Sequence, residues 1–289
     1  QRQMCIRDSA NVGKTKNFGY DLTFNFVPVR TKDFEWNIGV NAAYSRNEIV
    51  SLANGKEDDP ANGWFIGEST NSIYTYESAG LWKEEDRADM EKFNANGHDF
   101  QIGMARPVDQ NGDYKIDANN DRTIVGHYDP RWTLGLNTNF TYKGWDLGIQ
   151  LYGRMGFKYY DSSVWVGGRY NVRDYDYYNE NNKNAAHPKP IYDEGGKDAY
   201  YNETYLKNGS YLKIRNISLG YTFPNRLLTH TGLSALRMYA QIKNPGYIFS
   251  GCKTLDLDTY SNTYNSGFTF GLNSVSYTHL RAHETGAYL

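Results

Sequence analysis

The chain has 289 residues, a formal net charge of -2 and a mean hydropathy of -0.74, with 26 tyrosines. No stretch approaches the run of about 20 apolar residues that a membrane-spanning helix needs, which excludes a helical membrane protein but not a transmembrane barrel with hydrophilic lumenal positions. The near-balanced charge offers no basic surface for nucleic acid, and the two cysteines, Cys5 and Cys252, make neither a disulfide framework nor a metal site.

Residues 1–9 (QRQMCIRDS) and about 274–285 (SVSYTHLRAHET) resemble translated sequencing-adapter DNA. They are set aside as foreign, with 1–9 and 274–289 flanking a unit at 10–273. His279, His283 and Glu284 therefore do not count as a metal pair, despite their helical spacing.

Phe18 to Val27 alternates, with Tyr20, Leu22, Phe24 and Phe26 on one face, and Pro28 and a charged turn at residues 30–33 are expected to stop it. Phe34 to Tyr44 answers with Phe34, Trp36, Ile38, Val40, Ala42 and Tyr44 on one face. Another strand is expected around Ile73 to Trp82, followed by a short surface helix from Lys83 to Phe93 with its acids early.

The segment DPRWTLGLNTNFTYKGWDLGIQLYGR, residues 129–154, reads as a hairpin turning at Lys143-Gly144. Trp132, Leu134, Leu136, Thr138, Phe140 and Tyr142 share one face with Trp145, Leu147, Ile149 and Leu151. Ten steps of about 3.3 Å at a tilt of roughly 40° give a height of about 25 Å, which matches an outer-membrane apolar band. Aromatics at both ends, Trp132 at one and Tyr142 and Trp145 at the other, are expected to form the interfacial girdle.

A long Tyr-rich connection runs from about residue 160 to 205 and is a candidate functional loop. In Tyr211 to Phe223 the apolar parity changes phase, which predicts a β-bulge near Arg215-Asn216. Strands from Leu236 to Ile248 and from Phe268 follow. Short turns at one end and long loops at the other suit a barrel, but strand parity fails between Trp82 and Asp129 unless one more crossing lies hidden there. The expectation is an all-β, antiparallel, open curled sheet of about eight to ten strands.

Four segments, RTKDFEWNIGVNAAYSRNEIVSL, VDQNGDYKIDANNDRTIVG, DPRWTLGLNTNFTYKGWDLGIQLYGR and NGSYLKIRNISLGYTFP, together resemble the C-terminal part of SusC/RagA-type TonB-dependent outer-membrane transporters. The resemblance implies a barrel of about 22 strands around a separate plug. It implies import of glycans or peptides with a SusD-like surface lipoprotein, outer-membrane lipid around the wall, and a TonB complex engaged through an N-terminal region that would precede this chain. It also implies a terminal aromatic residue where residues 269–273 give way to the foreign tail.

Asp109, Asn111, Asp113, Lys115 and Asp117 fall at the ligand spacing of a calcium loop, with Tyr114 where glycine is wanted and Asn120 where a bidentate Glu is wanted. A polar Asx turn is the alternative, and Asp121 is expected to cap a turn. Trp165, Arg169, Tyr170, Arg173, Tyr175, Tyr177 and Tyr178, with Tyr200 and Tyr201, combine flat rings with guanidinium groups suited to substrate or lipoprotein contact. Asp21, Glu35, Asn37, Asp146 and Gln150 should line a wet lumen. His98, His127, His187 and His230 are scattered and no enzyme constellation emerges. The competing reading is a soluble β-sandwich carbohydrate-binding module.

Overall fold

The computed structural model describes residues 13–53, 55–161, 176–190, 200, 204–252, 256–259 and 264–276. In chain order the elements are β1 (Gly13–Arg30), β2 (Phe34–Leu52), β3 (Ser72–Tyr76), β4 (Ser78–Leu81), α1 (Arg87–Ala95), β5 (Ala105–Pro107) and β6 (Arg122–His127). Then come β7 (Trp132–Tyr142), β8 (Trp145–Met155), β9 (Lys158–Tyr160), β10 (Leu206–Asn208), β11 (Tyr211–Thr222), α2 (Asn225–Leu228), β12 (Leu233–Ser250) and β13 (Gly267–Ser276). The last strand carries on through Ser274, Val275 and Ser276, paired with Leu236, Ala235 and Leu233.

One antiparallel sheet of seven strands, in the order β1-β2-β7-β8-β11-β12-β13, dominates the molecule. Both hairpin expectations hold, and the Lys143-Gly144 corner has φ of 45° and 92°, the two left-handed residues that a type I′ turn requires. The bulge expected near Arg215 is present: both ladders of β11 shift register between Ile214 and Asn216.

Three expectations are corrected. The first strand is longer than Phe18 to Val27 because Pro28 does not stop it. Pro28 falls at the register shift between Phe26 and Val29, on a strand paired along one side only, where a residue without an N–H removes no ladder bond. Ile73 to Trp82 is two short strands, β3 pairing β6 and β4 pairing β5, outside the main sheet. No crossing hides between Trp82 and Asp129, since β2 pairs directly with β7 from Phe34↔Tyr142 to Tyr44↔Trp132. The main sheet therefore has seven strands among the described residues, where eight to ten were expected, and the parity problem vanishes. The turns at 31–33, 143–144 and 223–232 all lie at one end, and the long excursions leave from the other.

The excursion between β2 and β7 is a small lobe with its own core of Trp82, Met90, Phe93, Phe100, Met104 and Ile116. Helix α1 contributes Met90 and Phe93, three apart and so on one face. Asp86 accepts the Lys83 N–H ahead of it, and Arg106 pairs with Asp86 and Asp89 while lying 4.6 Å from the Trp82 ring centre.

The oily face of the main sheet has no second layer over it among the described residues. Phe24 is 59% exposed, Leu219 46% and Phe270 77%. A soluble sandwich would bury all three. Aromatic rings gather at both ends of this face: Tyr20, Tyr44 and Trp132 within 5.8 Å of one another at one end, and Trp145 against Tyr221 at 4.8 Å, with Tyr142 opposite Trp145, at the other. Between them, the Trp36 indole N–H donates to Thr138 Oγ1 at 2.8 Å. A hydroxyl on a greasy face thus has a reason to be there, because lipid offers the indole no other acceptor. Replacing Thr138 with Val should cost about 1–3 kcal/mol by orphaning that donor, whereas Thr138→Ser should be near neutral. Urea titration of the two variants would read the difference, and equal midpoints would refute it.

Candidate functional site

Opposite the oily face, successive strands present Asp21, Asn25, Glu35, Asn37, Asn41, Asn137, Asn139, Asp146, Gln150, Asn216, Gln241 and Arg237. This polar wall is internally paired. Arg30 donates to Glu35 at 2.9 Å and Asn37 donates to the other Glu35 oxygen at 2.8 Å. Gln241 donates to Asn216 at 2.6 Å. Arg237 on β12 reaches over β11 to Asp146 on β8, with Nε 2.9 Å from Oδ1. It crosses at Gly220, where an added Cβ would lie 2.4 Å from Arg237 Nη2 and 2.6 Å from Asp146 Oδ1. The glycine is what lets the ion pair lie flat on the sheet.

Above the wall, at the end away from the short turns, a second core forms from Phe157, Tyr159, Tyr211, Cys252 and Leu257. Lys213, 1% exposed, is held there by Asp258 at 2.8 Å and Asp256 at 3.7 Å. The Tyr211 hydroxyl donates to Asp258 at 3.2 Å, Arg215 pairs with the same carboxylate, and the Tyr247 hydroxyl donates to Asp256. Segment 256–259 is thereby latched onto β11 and β12.

Two cavities open on this half of the molecule. One, of about 730 Å³, is lined by Asp21, Asn47, Asn71, His127, Asp129, Arg131 and Arg154 among others. The other, of about 530 Å³, lies between the 60–63 turn, β3, and the paired β9 and β10, with Tyr74, Tyr128 and Tyr160 in its lining.

No family model matches the chain. It is 26% identical over 294 residues to the TonB-dependent receptor P3 of Formosa agariphila, an alignment that takes in 96% of this chain and 29% of that protein. It is also 26% identical over 283 residues to the TonB-dependent receptor SusC of Bacteroides thetaiotaomicron, taking in 90% of this chain and 26% of that protein. The chain is a partial homologue of SusC/RagA-type TonB-dependent receptors. It spans less than a third of the length of these curated relatives. In fold it matches the structure of the RagAB peptide transporter, with a TM-score of 0.68, 24% identity, and coverage of 91% of this chain and 30% of that one. The RagAB peptide importer in its open-open state gives the same TM-score, 0.68. The open sheet corresponds to the barrel part of those structures.

On this SusC/RagA-like wall, Trp132, Tyr142 and Trp145 stand at the two ends of the oily face. Trp165, Arg169, Tyr170, Arg173, Tyr175 and Tyr201 lie outside the described residues. Tyr177 is partly exposed, whereas the Tyr178 ring packs where a Cβ on Gly103 would stand, 2.3 Å from it, and the Tyr178 N–H donates to His187 O at 3.0 Å. With Lys189 N donating to Gly103 O at 2.9 Å, segment 176–190 is clipped to the lobe. Tyr200 stands edge-on to Tyr76 with 5.0 Å between ring centres.

The calcium-spaced residues use their oxygens on nearby donors instead. Asp109 accepts from Gly112 N at 2.7 Å and Tyr114 N at 2.8 Å, Asp113 from Lys115 N at 2.8 Å, and Asp117 from Asn119 N and Asn120 N. The Asp117 carboxyl is held below the ordinary carboxylate range chiefly by the Asn120 amide. Asn111 donates to Asp113, and Tyr114 adopts φ 60°, the left-handed turn that the spacing asks of glycine. These are the contacts of an Asx turn. Among the described residues no group of three or more His, Cys, Asp or Glu is placed to hold a metal. Sequence reading missed His98, whose Nε2 accepts from Ile116 N at 3.0 Å, and whose partial burial lowers its pKa and keeps that acceptor neutral. Asp121 does cap: fully buried, it accepts from Gln110 N at 2.9 Å and Asp117 N at 2.7 Å.

Two predictions follow from these contacts. Asp121→Ala should strip both amides of their acceptor, at about 1–3 kcal/mol each, and speed their hydrogen exchange; unchanged protection at Gln110 and Asp117 would refute the cap. The latch should be acid-sensitive. Burial alone would raise the Asp258 pKa, but the Lys213 ammonium, the Arg215 guanidinium and the Tyr211 hydroxyl together outweigh it and hold the carboxyl below its ordinary value. A depressed carboxylate contributes stability that is complete above its unfolded pKa of about 3.9 and lost as pH falls through the folded value. In a Cys5→Ser background, dithiodipyridine labelling of buried Cys252 should stay slow from neutral pH down to about 4 and accelerate below. A rate that ignores pH in that range would remove Asp258 from the latch.

Proposed function

We propose that the chain forms part of the wall of an outer-membrane importer that takes up glycans or peptides with a SusD-like surface lipoprotein, energised by a TonB complex acting on a part of the receptor outside this chain. One observation carries this reading. A single sheet has an uncovered oily face fenced by aromatics at both ends, an internally paired polar face behind it, and every long excursion at the same end. Such a sheet suits lipid on one side and an aqueous path on the other. Trp132, Tyr142 and Trp145 would then sit at the headgroup layers, and Tyr177, with the aromatic and arginine residues of 165–175, would face substrate or lipoprotein. The β-sandwich alternative requires a second layer that the exposed Phe24, Leu219 and Phe270 lack.

The reading is tested in cells carrying the complete receptor. The protein should fractionate with the outer membrane and co-purify with a surface lipoprotein. Uptake of its cargo should fall at least tenfold on deletion of the receptor or depletion of TonB. Purification of this chain as a monodisperse species without detergent would overturn it.

A further inference from the structure

The 530 Å³ cavity is of a size that takes a small-molecule ligand and lies off the lumenal wall, touching the long loop singled out in the sequence only at its first residue, Tyr160. Each of its walls is fixed. The 60–63 turn is closed by paired backbone bonds between Asp59 and Trp64, at 2.7 and 3.0 Å. Tyr74 packs against Phe65, with ring centres 4.6 Å apart. Tyr128 N donates to Asn71 O at 3.1 Å, and Tyr160 stands edge-on to the buried Tyr205 at 5.9 Å. Tyr128 and Tyr160 nonetheless keep 46% and 40% of their surface free. The result is a pair of partly exposed rings, which bury area at low conformational cost.

The polar lining has a definite sense. Asn62 donates its amide to Asp59 at 2.7 Å and Ser72 donates its hydroxyl to Ser69 O at 2.8 Å, so each turns an oxygen acceptor to further donors. Among the described residues the one charged group in the lining is Arg122, whose guanidinium lies 5.3 Å from the Tyr76 ring centre and takes part in none of their ion pairs. Among the described residues no acidic one lines the cavity. Flat rings, acceptors and one cation together fit a ring with apolar faces, donor hydroxyls and an anionic substituent.

We infer that this cavity is an extracellular-side binding site for an acidic saccharide unit, a sugar ring bearing a carboxylate or a sulfate. Tyr128 and Tyr160 take the ring faces, Asn62 and Ser72 accept from hydroxyls, and Arg122 takes the anion. The inference deepens the import reading and rests on it for its biological sense, but the binding itself is measured without transport.

The complete receptor in detergent micelles is applied to an array of neutral, uronate-bearing and sulfated oligosaccharides, with tyrosine-rich and acidic peptides beside them. An anionic saccharide should bind at least tenfold more tightly than its neutral counterpart, and the uronate and sulfate arms decide which anion is preferred. Arg122→Gln should erase that preference while leaving residual ring binding. Tyr128→Ala should weaken binding at least tenfold, and Tyr142→Ala at the opposite end of the sheet should change nothing. All three side chains are exposed, and matched thermal unfolding of the variants excludes loss of fold as the cause. Failure of every saccharide to bind, binding of peptides alone, or indifference to both Arg122→Gln and Tyr128→Ala would overturn the site. Loss of outer-membrane localisation in the cell experiment would overturn the import reading and leave the binding result standing.

Discussion

Backbone pairing in a medium without water governs this molecule. Each N–H and C=O at membrane depth must find its partner in a neighbouring strand, because an unpaired group in hydrocarbon costs several kcal/mol. The seven-strand ladder meets that demand along its interior, and its irregularities fall where the demand is weakest or is met otherwise. Pro28 sits on β1, paired on one side only. The bulge at Arg215 is matched by both neighbours of β11 at the same place. The Trp36 indole carries its own acceptor, Thr138. The outer edges of β1 and β13 are the unmet part of the demand, so in lipid the sheet calls for further strands on both sides.

The same constraint makes the two ends unequal. Connections at one end stay short, from the two residues Lys143-Gly144 to the turn at 223–232 that carries α2. The other end is free of the ladder, and its excursions must build cores of their own. The lobe does so with Trp82 and the side chains of α1, and the β9 to β11 end does so with Tyr211 and Leu257. The second core contains a buried lysine held by two carboxylates, which contributes little net stability over an apolar substitute but cannot lose one member without stranding the rest. Its role is to fix where segment 256–259 sits.

What the sequence made legible follows from period two. Alternation showed β2, β7, β8 and β11 with the right faces, and the phase break exposed the bulge before any coordinate did. Excursions have no such period. The stretch from Ile73 to Trp82 looked like one strand because β3 and β4 abut, and nothing local says that they pair with β6 and β5 in separate sheets. The supposed hidden crossing arose because β2 and β7 are distant in sequence, and direct pairing across a long lobe leaves no local signature. The calcium-like spacing was real as spacing, but spacing does not say where an oxygen points, and Asp109 and Asp117 point at backbone amides. The tyrosine cavity was invisible for a related reason: Asn62 and Tyr128 stand far apart within one excursion and Tyr160 belongs to the next, and the three meet only in space.

The polar face carries a final regularity. Arg237 and Asp146 are each about 30% exposed, so their pair contributes about 0–1 kcal/mol and stability does not explain the geometry. Shape does. Gly220 removes the one side chain that would lift the guanidinium off the sheet, and Gly271 does the same for Tyr239, whose ring occupies the space a Cβ there would fill, 2.1 Å away. With Arg237 also stacked 5.1 Å from the Tyr239 ring centre, both long side chains lie along the wall instead of projecting from it. A wall against which a plug rests or a cargo passes gains from low relief and from charges already paired. Glycine on the inward parity therefore marks places where the surface is kept smooth, while the outward parity at the same levels carries Leu147, Leu219 and Phe270.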